Sequence, residues 1–525
     1  MTHLADMAAN TDGHYVQEIT LAGEGATSRL GEELAARIAC GDLLLVSGEL
    51  GAGKSSLARA LIRAAAGDPA LDVPSPTFTL VQHYETDRLT IHHFDLYRIS
   101  GPDELEELGL NEALDAGIAI VEWPDRASHL LAHDRLEISL SLDPASPELR
   151  LARLRGHGAW AARLARMDAI RRFLDAYGYS EWQRSHLQGD ASARRYEKLR
   201  QGSNRAILMD SPPAPDPGTG PLPYSRIAHL AEDVVPFVAI GRALKAQGLS
   251  APQIYAADLN AGLLVLEDFG CDGLLDNDGR PVGERYATAL DVLVQLHAAD
   301  LPPEIEAAPG RRHRLPHYDM SAFLAECDLL LGWFVPHVLG SRLSPDAEDR
   351  FREIWRTLLA PRIVSSAGSW VLRDYHSPNL LWLAGREGTA RVGLLDFQDT
   401  VIGPRAYDVA SLIMDARVDI PARLQAELAS YYIASRQLDD PTFNAEAFSA
   451  EFALMAAQRN TKILGIFARL ARRDGKPHYL AHLPRISDYL ESAIAHPALA
   501  PLKAWYDTYL PAKLRISQGE ATQRR

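Results

Sequence analysis

Residues 371–383 read VLRDYHSPNLLWL, a segment whose apolar flanks mark buried strand and whose middle carries Arg373, Asp374 and, five positions after the Asp, Asn379. The run that follows, LLWLAGREGTARVGLLDFQD (380–399), is two apolar stretches around a glycine-containing turn and reads as a β-hairpin. Such a hairpin returns Asp396 to the neighbourhood of Asn379, because residues on paired strands face each other across the ladder. One acid, one amide and a second acid are therefore delivered to one place by local chain geometry.

Kinase-type phosphoryl transfer uses those three groups: an Asp to orient and deprotonate the acceptor hydroxyl, and an Asn and a second Asp to hold Mg²⁺. The protein-kinase pattern is H-R-D-x-x-x-x-N followed by D-F-G. Here Leu372 replaces the His and Gln398 replaces the Gly; neither change removes a reacting group. A literal DFG at Asp268–Gly270 precedes the loop instead of following it, and ends the strand LLVLEDF (263–269). At that place the backbone of Glu267 and Asp268 is positioned to meet adenine. The strand that carries a lysine in protein kinases reads RAILMDSPP here and offers Met209; Arg194, Arg195 and Lys198, beside the small-residue turn GDASARRYEK, are the candidate replacements for contact with phosphate. After Asp396 the chain runs almost at once into a helical pattern (DFQDTVIGPRAYDVASLIMDAR), leaving no room for a peptide-docking segment. A small hydroxylated acceptor is expected.

A second phosphate loop lies far upstream. GELGAGKS (48–55) matches G-x-x-x-x-G-K-[ST] between the apolar strand LLLVSG and the helical pattern KSSLARALIRAAAG. Gly48, Gly51 and Gly53 let backbone N–H groups wrap phosphates, Lys54 reaches the β- and γ-phosphates, and the Ser55 hydroxyl is a Mg²⁺ ligand. Asp95 and Glu122, which end the strands LTIHHFDLY and GIAIVEW, are candidates for Mg²⁺ and the attacking water. Short apolar runs alternating with helical stretches from residue 19 to residue 154 predict a mixed α/β sheet.

At 525 residues the chain exceeds one ordinary core, so several domains are expected. The reading is an unstructured start (1–17), a nucleotide-binding sheet domain (18–155), a charged helical connector (156–167), a β-rich lobe (168–272), an α-rich lobe (273–512) and a polar tail (513–525). With 47% hydrophobic and 23% charged residues the composition is that of a globular protein. The net charge of -15 gives no footprint for tight direct nucleic-acid binding, so any RNA would be presented by another protein. Cys40, Cys271 and Cys327 are scattered singly and read as reduced, mostly buried thiols. With no secretory start and no run read as approaching a membrane span, a cytoplasmic protein without membrane contact is expected.

GELGAGKSS, PSPTFTLV, HFDLYR and VEWPDR, in that order, resemble the TsaE family, the small bacterial ATPases of tRNA threonylcarbamoyladenosine synthesis. That resemblance implies ATP and Mg²⁺ held by Lys54, Ser55 and Ser56, hydrolysis served by Asp95 and Glu122, a γ-phosphate response at Thr77, and partner proteins of the tRNA-modifying complex. GDASARRY, ILMDSPP, LEDFG, RDYHSPNLLWL, LLDFQDTVIGPRAYDVASL and AAQRNTKILGIFARLARRDGKPHYL resemble the aminoglycoside-phosphotransferase-like family, and within it the N-acetylmuramate/N-acetylglucosamine 1-kinases of cell-wall recycling. This second resemblance implies Asp374 as base, Asn379 and Asp396 as Mg²⁺ ligands, Asp408 as a brace of the loop, and an amino-sugar substrate. Arg459, Asn460 and Lys462 fall in the matching stretch but read as a solvated helix surface. The expectation is thus an α/β chain: a P-loop NTPase sheet domain followed by a two-lobed, protein-kinase-like domain. The alternatives are transfer to another small alcohol, such as an aminoglycoside, and a nucleotide-gated interaction module with an inactive kinase fold.

Overall fold

A computed structural model describes residues 14–99, 108–127, 134–143, 146–187, 194–215, 220–365 and 368–515. The chain forms two compact units, one of residues 1–212 with 255–267 and one of residues 213–254 with 268–525.

The first unit carries two sheets. Its seven-stranded sheet has the order β1-β7-β6-β2-β5-β4-β3, with β1 at His14–Ala22, β2 at Leu43–Gly48, β3 at Val81–Glu85, β4 at Thr90–Asp95, β5 at Gly117–Glu122, β6 at Arg135–Asp143 and β7 at Ser146–His157. Strands β2, β4, β5 and β6 run parallel and the outer pairs antiparallel. Every residue of β5 is buried, as a central parallel strand covered on both faces requires. Two helices, α1 (Gly23–Ala35) and α2 (Lys54–Ala66), pack against each other. Leu57, Ala58, Leu61 and Ile62 bury one face of α2 at helical spacing. The helix ends at Gly67, whose positive φ of 66° lets its N–H bond back to the Arg63 and Ala64 carbonyls.

The second sheet has the order β11-β12-β10-β9-β8, with β8 at Gln183–Leu187, β9 at Arg195–Gln201, β10 at Asn204–Asp210, β11 at Ile254–Asp258 and β12 at Leu263–Glu267. One continuous helix, α3 (Ala159–Ala176), serves both sheets. Its Trp160, Leu164 and Met167 enter the core of the seven-stranded sheet, while Ile170, Phe173 and Leu174 pack on Leu199, Leu208 and Val265 of the five-stranded one.

The second unit is mainly helical. Strands β13 (Ser369–Val371) and β16 (Val401–Gly403) pair, as do β14 (Leu380–Trp382) and β15 (Val392–Leu394). The long helix α6 (Ala445–Arg472) packs against α4 (Met320–Leu329) and α5 (Ala406–Ile413).

Several readings are corrected. β1 begins at His14, within the stretch expected to be unstructured to residue 17, because its register with β7 holds from His14↔His157 onward. The β6–β7 pair is not among the strands expected from sequence, and the stretch expected to open the β-rich lobe carries three strands, β8, β9 and β10, around and after the turn GDASARRYEK. Cys40 and Cys271 are exposed and only Cys327 is buried; the first two stand outside strands and helices, where little packs over a side chain. Met320–Leu339 does reach the length and apolarity of a membrane span, with a mean hydropathy of 1.4. Half of that window is buried, and its Glu326 is fully buried among polar partners. The turn at 188–193 and the tail beyond 515 lie outside the described residues.

Candidate functional site

The loop between β2 and α2 has the backbone that its glycines permit. Gly48, Gly51 and Gly53 have φ of 145°, 83° and 104°. A side chain on Gly48 would meet the Leu140 carbonyl oxygen at 2.4 Å, so only glycine fits there. Lys54 is buried and donates from Nζ to the carbonyls of Gly48 and Glu49, each at 2.9 Å. Its ammonium also lies 3.8 Å from the centre of the Trp123 ring. Burial lowers the Lys54 pKa, against the pull of Glu122 and Asp95. The cation thus folds back on its own loop.

The two acids at the strand ends are buried and fully engaged. Glu122 accepts from Ser55 Oγ at 2.9 Å and contacts His93 Nε2 at 2.9 Å. Asp95 accepts from Thr77 Oγ1 at 2.9 Å and Ser75 Oγ at 3.1 Å. Gly48, Lys54, Ser55, Thr77, Asp95 and Glu122 therefore stand together, with Gly51, Gly53 and Ser56 on the same loop and helix start. Oxygen donors of this kind match a hard dication such as Mg²⁺. His93 and Ser75 were missed from sequence, although both stand inside the quoted motifs. Trp123, directly after Glu122, is held at φ 60°, a conformation that non-glycine residues adopt only when their surroundings impose it.

In the five-stranded sheet Arg195 opens β9 opposite Asp210 of β10, and Arg194 precedes it. Burial lowers the Arg195 pKa, with a further push from Arg37. The acids nearby are already paired: Arg37 bridges Glu197 at 3.2 Å and Asp210 at 2.7 Å, Arg184 takes Glu197 at 2.7 Å, and Arg166 takes Asp210 at 2.6 Å. Met209 is buried. Glu267 ends β12 in this unit. Asp268 belongs to the other unit and accepts from the Gly270 N–H at 2.8 Å.

The loop 372–379 is braced from below by acids of α5 and its C-terminal extension. Asp408 accepts the N–H groups of Leu372 (2.6 Å) and Arg373 (2.9 Å). Asp415 accepts the N–H (2.8 Å) and hydroxyl (2.6 Å) of Ser377. The Asn379 side chain donates to the Asp374 carbonyl at 3.0 Å, and the Asn379 main-chain carbonyl accepts from the Leu395 N–H at 2.9 Å. This last bond carries the register one step past Leu380↔Leu394, so Asp396, two residues beyond β15, directly follows the residue opposite Asn379. Gln398 donates to Asp396 at 2.8 Å, so the residue in the glycine position of the motif fixes the carboxylate's orientation. Arg373 and Asp396 are both held at positive φ, 69° and 54°. Asp408→Asn is expected to cost about 1–3 kcal/mol, since one of the two buried N–H groups would face an amide NH₂ in place of an oxygen. Urea denaturation of the variant measures it.

The cations around Asp374 were misread. Arg459, Asn460 and Lys462, expected on a solvated helix surface, are all buried. They are polar residues on the face of α6 that turns inward. Lys462 pairs with Glu326 at 2.7 Å, Arg373 pairs with the same Glu326, and Arg459 donates to the Arg373 carbonyl at 3.3 Å. Burial by itself would raise the Asp374 pKa, but Lys462, then His376, Arg459 and Arg373, hold it below the ordinary carboxylate value. The carboxylate is therefore ionised at neutral pH and able to take a proton. Glu326 had a sequence signal, an acid inside the apolar run MSAFLAECDLLLGWF (320–334).

Two families match this chain. "Threonylcarbamoyl adenosine biosynthesis protein TsaE" matches residues 21–148, and "Phosphotransferase enzyme family" matches residues 183–443. An N-acetylmuramate/N-acetylglucosamine kinase of Caulobacter vibrioides is 39% identical over 370 residues, covering 65% of this chain and 96% of that protein. The protein of the same name from Pseudomonas aeruginosa is 34% identical, covering 60% of this chain and 84% of its own length. The tRNA threonylcarbamoyladenosine biosynthesis protein TsaE of Rickettsia felis is 38% identical over 124 residues, covering 24% of this chain and 72% of that protein.

Proposed function

The chain belongs to the TsaE family through its N-terminal part and to the N-acetylmuramate/N-acetylglucosamine kinase family through the remainder, and from that premise we propose how each part works. The C-terminal part transfers the γ-phosphoryl group of ATP to the anomeric hydroxyl of N-acetylmuramate or N-acetylglucosamine. Asp374 takes the proton of that hydroxyl as its oxygen bonds to phosphorus and ADP leaves. The observation that carries this reading is the Asp374 carboxylate, held ionised by surrounding cations on the loop that presents Asn379. Asn379 and Asp396 would hold Mg²⁺, which neutralises charge on the phosphates. Arg194 or Arg195 would contact the phosphates in place of the usual strand lysine, and the backbone of Glu267 and Asp268 would meet adenine. The acceptor is small, because the chain between Asp396 and α5 holds only the short strand β16.

The N-terminal part hydrolyses ATP in support of tRNA threonylcarbamoyladenosine synthesis. The N–H groups of Gly48, Gly51 and Gly53, with Lys54, Ser55 and Ser56, would bind the phosphates, and Ser55 and Asp95 the Mg²⁺. Glu122 would orient the attacking water, and Thr77 would respond to the γ-phosphate. Leu50, Phe78 and Tyr97, on the three loops that carry these residues, are 81%, 82% and 48% exposed. Apolar exposure around a nucleotide loop supports docking of the other proteins of that cytoplasmic system, which would present the tRNA to a chain of net charge -15.

Incubation of the full chain with ATP and N-acetylmuramate, followed by NMR of the product, is expected to show a sugar 1-phosphate. Competition among N-acetylmuramate, N-acetylglucosamine and kanamycin at limiting ATP tests the substrate class; preferred turnover of kanamycin overturns the proposal.

A further inference from the structure

Arg150 overhangs the loop between β2 and α2, and we propose that it binds the phosphate chain of the nucleotide there, a contact additional to that of Lys54. The inference rests on the reading of that loop as an ATP site. The sheet register places the residue. Gly48, where β2 gives way to the loop, pairs with Leu140 of β6, and Leu142, two positions further on, pairs with Arg150 of β7. Arg150 therefore stands just past the level at which the loop begins. Alternation along β7 puts it on the same face as Ala152 and Leu154, which are buried in the core shared with α1 and α2. The side chain consequently leans over the amino end of α2. A methyl group built on Gly53, the residue that caps α2, would come within 3.3 Å of Arg150 Nε and 3.5 Å of its Cδ.

No acid pairs with the cation at this place. The first turn of α2 contains no acidic residue and begins with Lys54. The helix start carries partial positive charge of its own. Two other arginines of the β6–β7 hairpin find acids: Arg135 pairs with Glu137 at 3.0 Å and Arg153 with Glu18 at 3.7 Å. Among the described residues the Arg150 side chain has no hydrogen bond or ion pair. Glu122 and Asp95 act on Lys54 and take Ser55 and His93, and Ser75 and Thr77, as hydrogen-bond partners; neither pairs with Arg150. A guanidinium held without an acid partner over the amino end of a helix is favoured when an anion joins it. A polyphosphate supplies that anion, and the planar guanidinium suits two of its oxygens at once.

The test is calorimetric titration of the full chain with a non-hydrolysable ATP analogue and Mg²⁺. The binding component that Lys54→Ala removes is the loop site. Arg150→Ala is expected to weaken that component at least tenfold, with Arg150→Lys intermediate because it keeps charge without the fork. Without nucleotide, Arg150→Ala should melt no lower than the unaltered chain, since it relieves a repulsion; a residue of merely structural value would lower the melting temperature and leave the affinity of the folded fraction alone. If Lys54→Ala leaves the isotherm unchanged, the ATP reading of the loop fails. If Lys54→Ala removes the component while Arg150→Ala retains it within twofold, the role of Arg150 is overturned.

Discussion

Asp374→Asn is expected to reduce sugar phosphorylation by on the order of 10²–10⁴-fold, the contribution of a positioned general base, while acceptor-free ATP hydrolysis at the Lys54 loop continues. Asn keeps the size of the side chain and its place among Lys462, His376, Arg459 and Arg373, so the loss is one of basicity. Binding of ATP and sugar should persist, which separates this variant from a misfolded one. The complementary variant, Lys54→Ala, is expected to lower hydrolysis by roughly 10²–10³-fold, the scale set by removing one electrostatic contact to a developing charge, and to leave sugar phosphorylation in place. The two loops belong to different compact units, so each substitution is local to its own chemistry. Assays of both activities on both variants decide the matter. Loss of both activities in either variant would refute independent sites.

The pH dependence follows from the same cations. Because Asp374 is held below the ordinary carboxylate value, its protonation does not limit turnover near neutrality. The acid limb of the rate due to this group is expected below about pH 4, the reference value for an unperturbed Asp.

What the sequence made legible follows the range of the interactions involved. The glycines of 48–53 dictate their backbone locally, so the loop, its strand and its helix could be read in full. The hairpin 380–399 was legible for the same reason, since turn residues between apolar runs fix which residues face each other. Glu326, Arg373 and Lys462 meet from three distant segments, and no local pattern announces the meeting. Periodicity assigns polar positions to solvent, which is why Arg459 and Lys462 were placed outside; a helix that lines a charged site reverses that rule. The same rule hid the purpose of Arg150, one polar residue among several on an alternating strand. Met320–Leu339 illustrates the converse. Its apolarity serves a protein core, and Glu326, which interrupts it, is the partner of two buried cations.

Glu326→Gln is expected to destabilise the second unit by about 3–5 kcal/mol, the scale for stripping one partner from a buried ionic cluster. The carboxylate accepts from Arg373, from Lys462 at 2.7 Å, from the Tyr318 hydroxyl and from Gln458 at 3.0 Å, and none of its surface is exposed. Gln preserves the shape and loses the charge, leaving a buried guanidinium and ammonium without the carboxylate that pairs with both. Burial alone would raise the Glu326 pKa, but Lys462 and Arg373 bring it down to about 2 from an ordinary 4.5. A carboxylate whose folded value is depressed adds stability that is present above the unfolded value and lost as pH falls toward the folded one. Urea midpoints of the unaltered chain should therefore decline between about pH 4.5 and about pH 2, and the variant should lack the part of that decline due to this group. Adding Lys462→Met to Glu326→Gln removes one of the stranded charges. The double variant should recover part of the lost stability, because a neutral buried pair carries less desolvation cost than an unpaired cation. If Glu326→Gln unfolds at the same urea concentration as the unaltered chain at pH 7, the cluster does not carry the stability assigned to it.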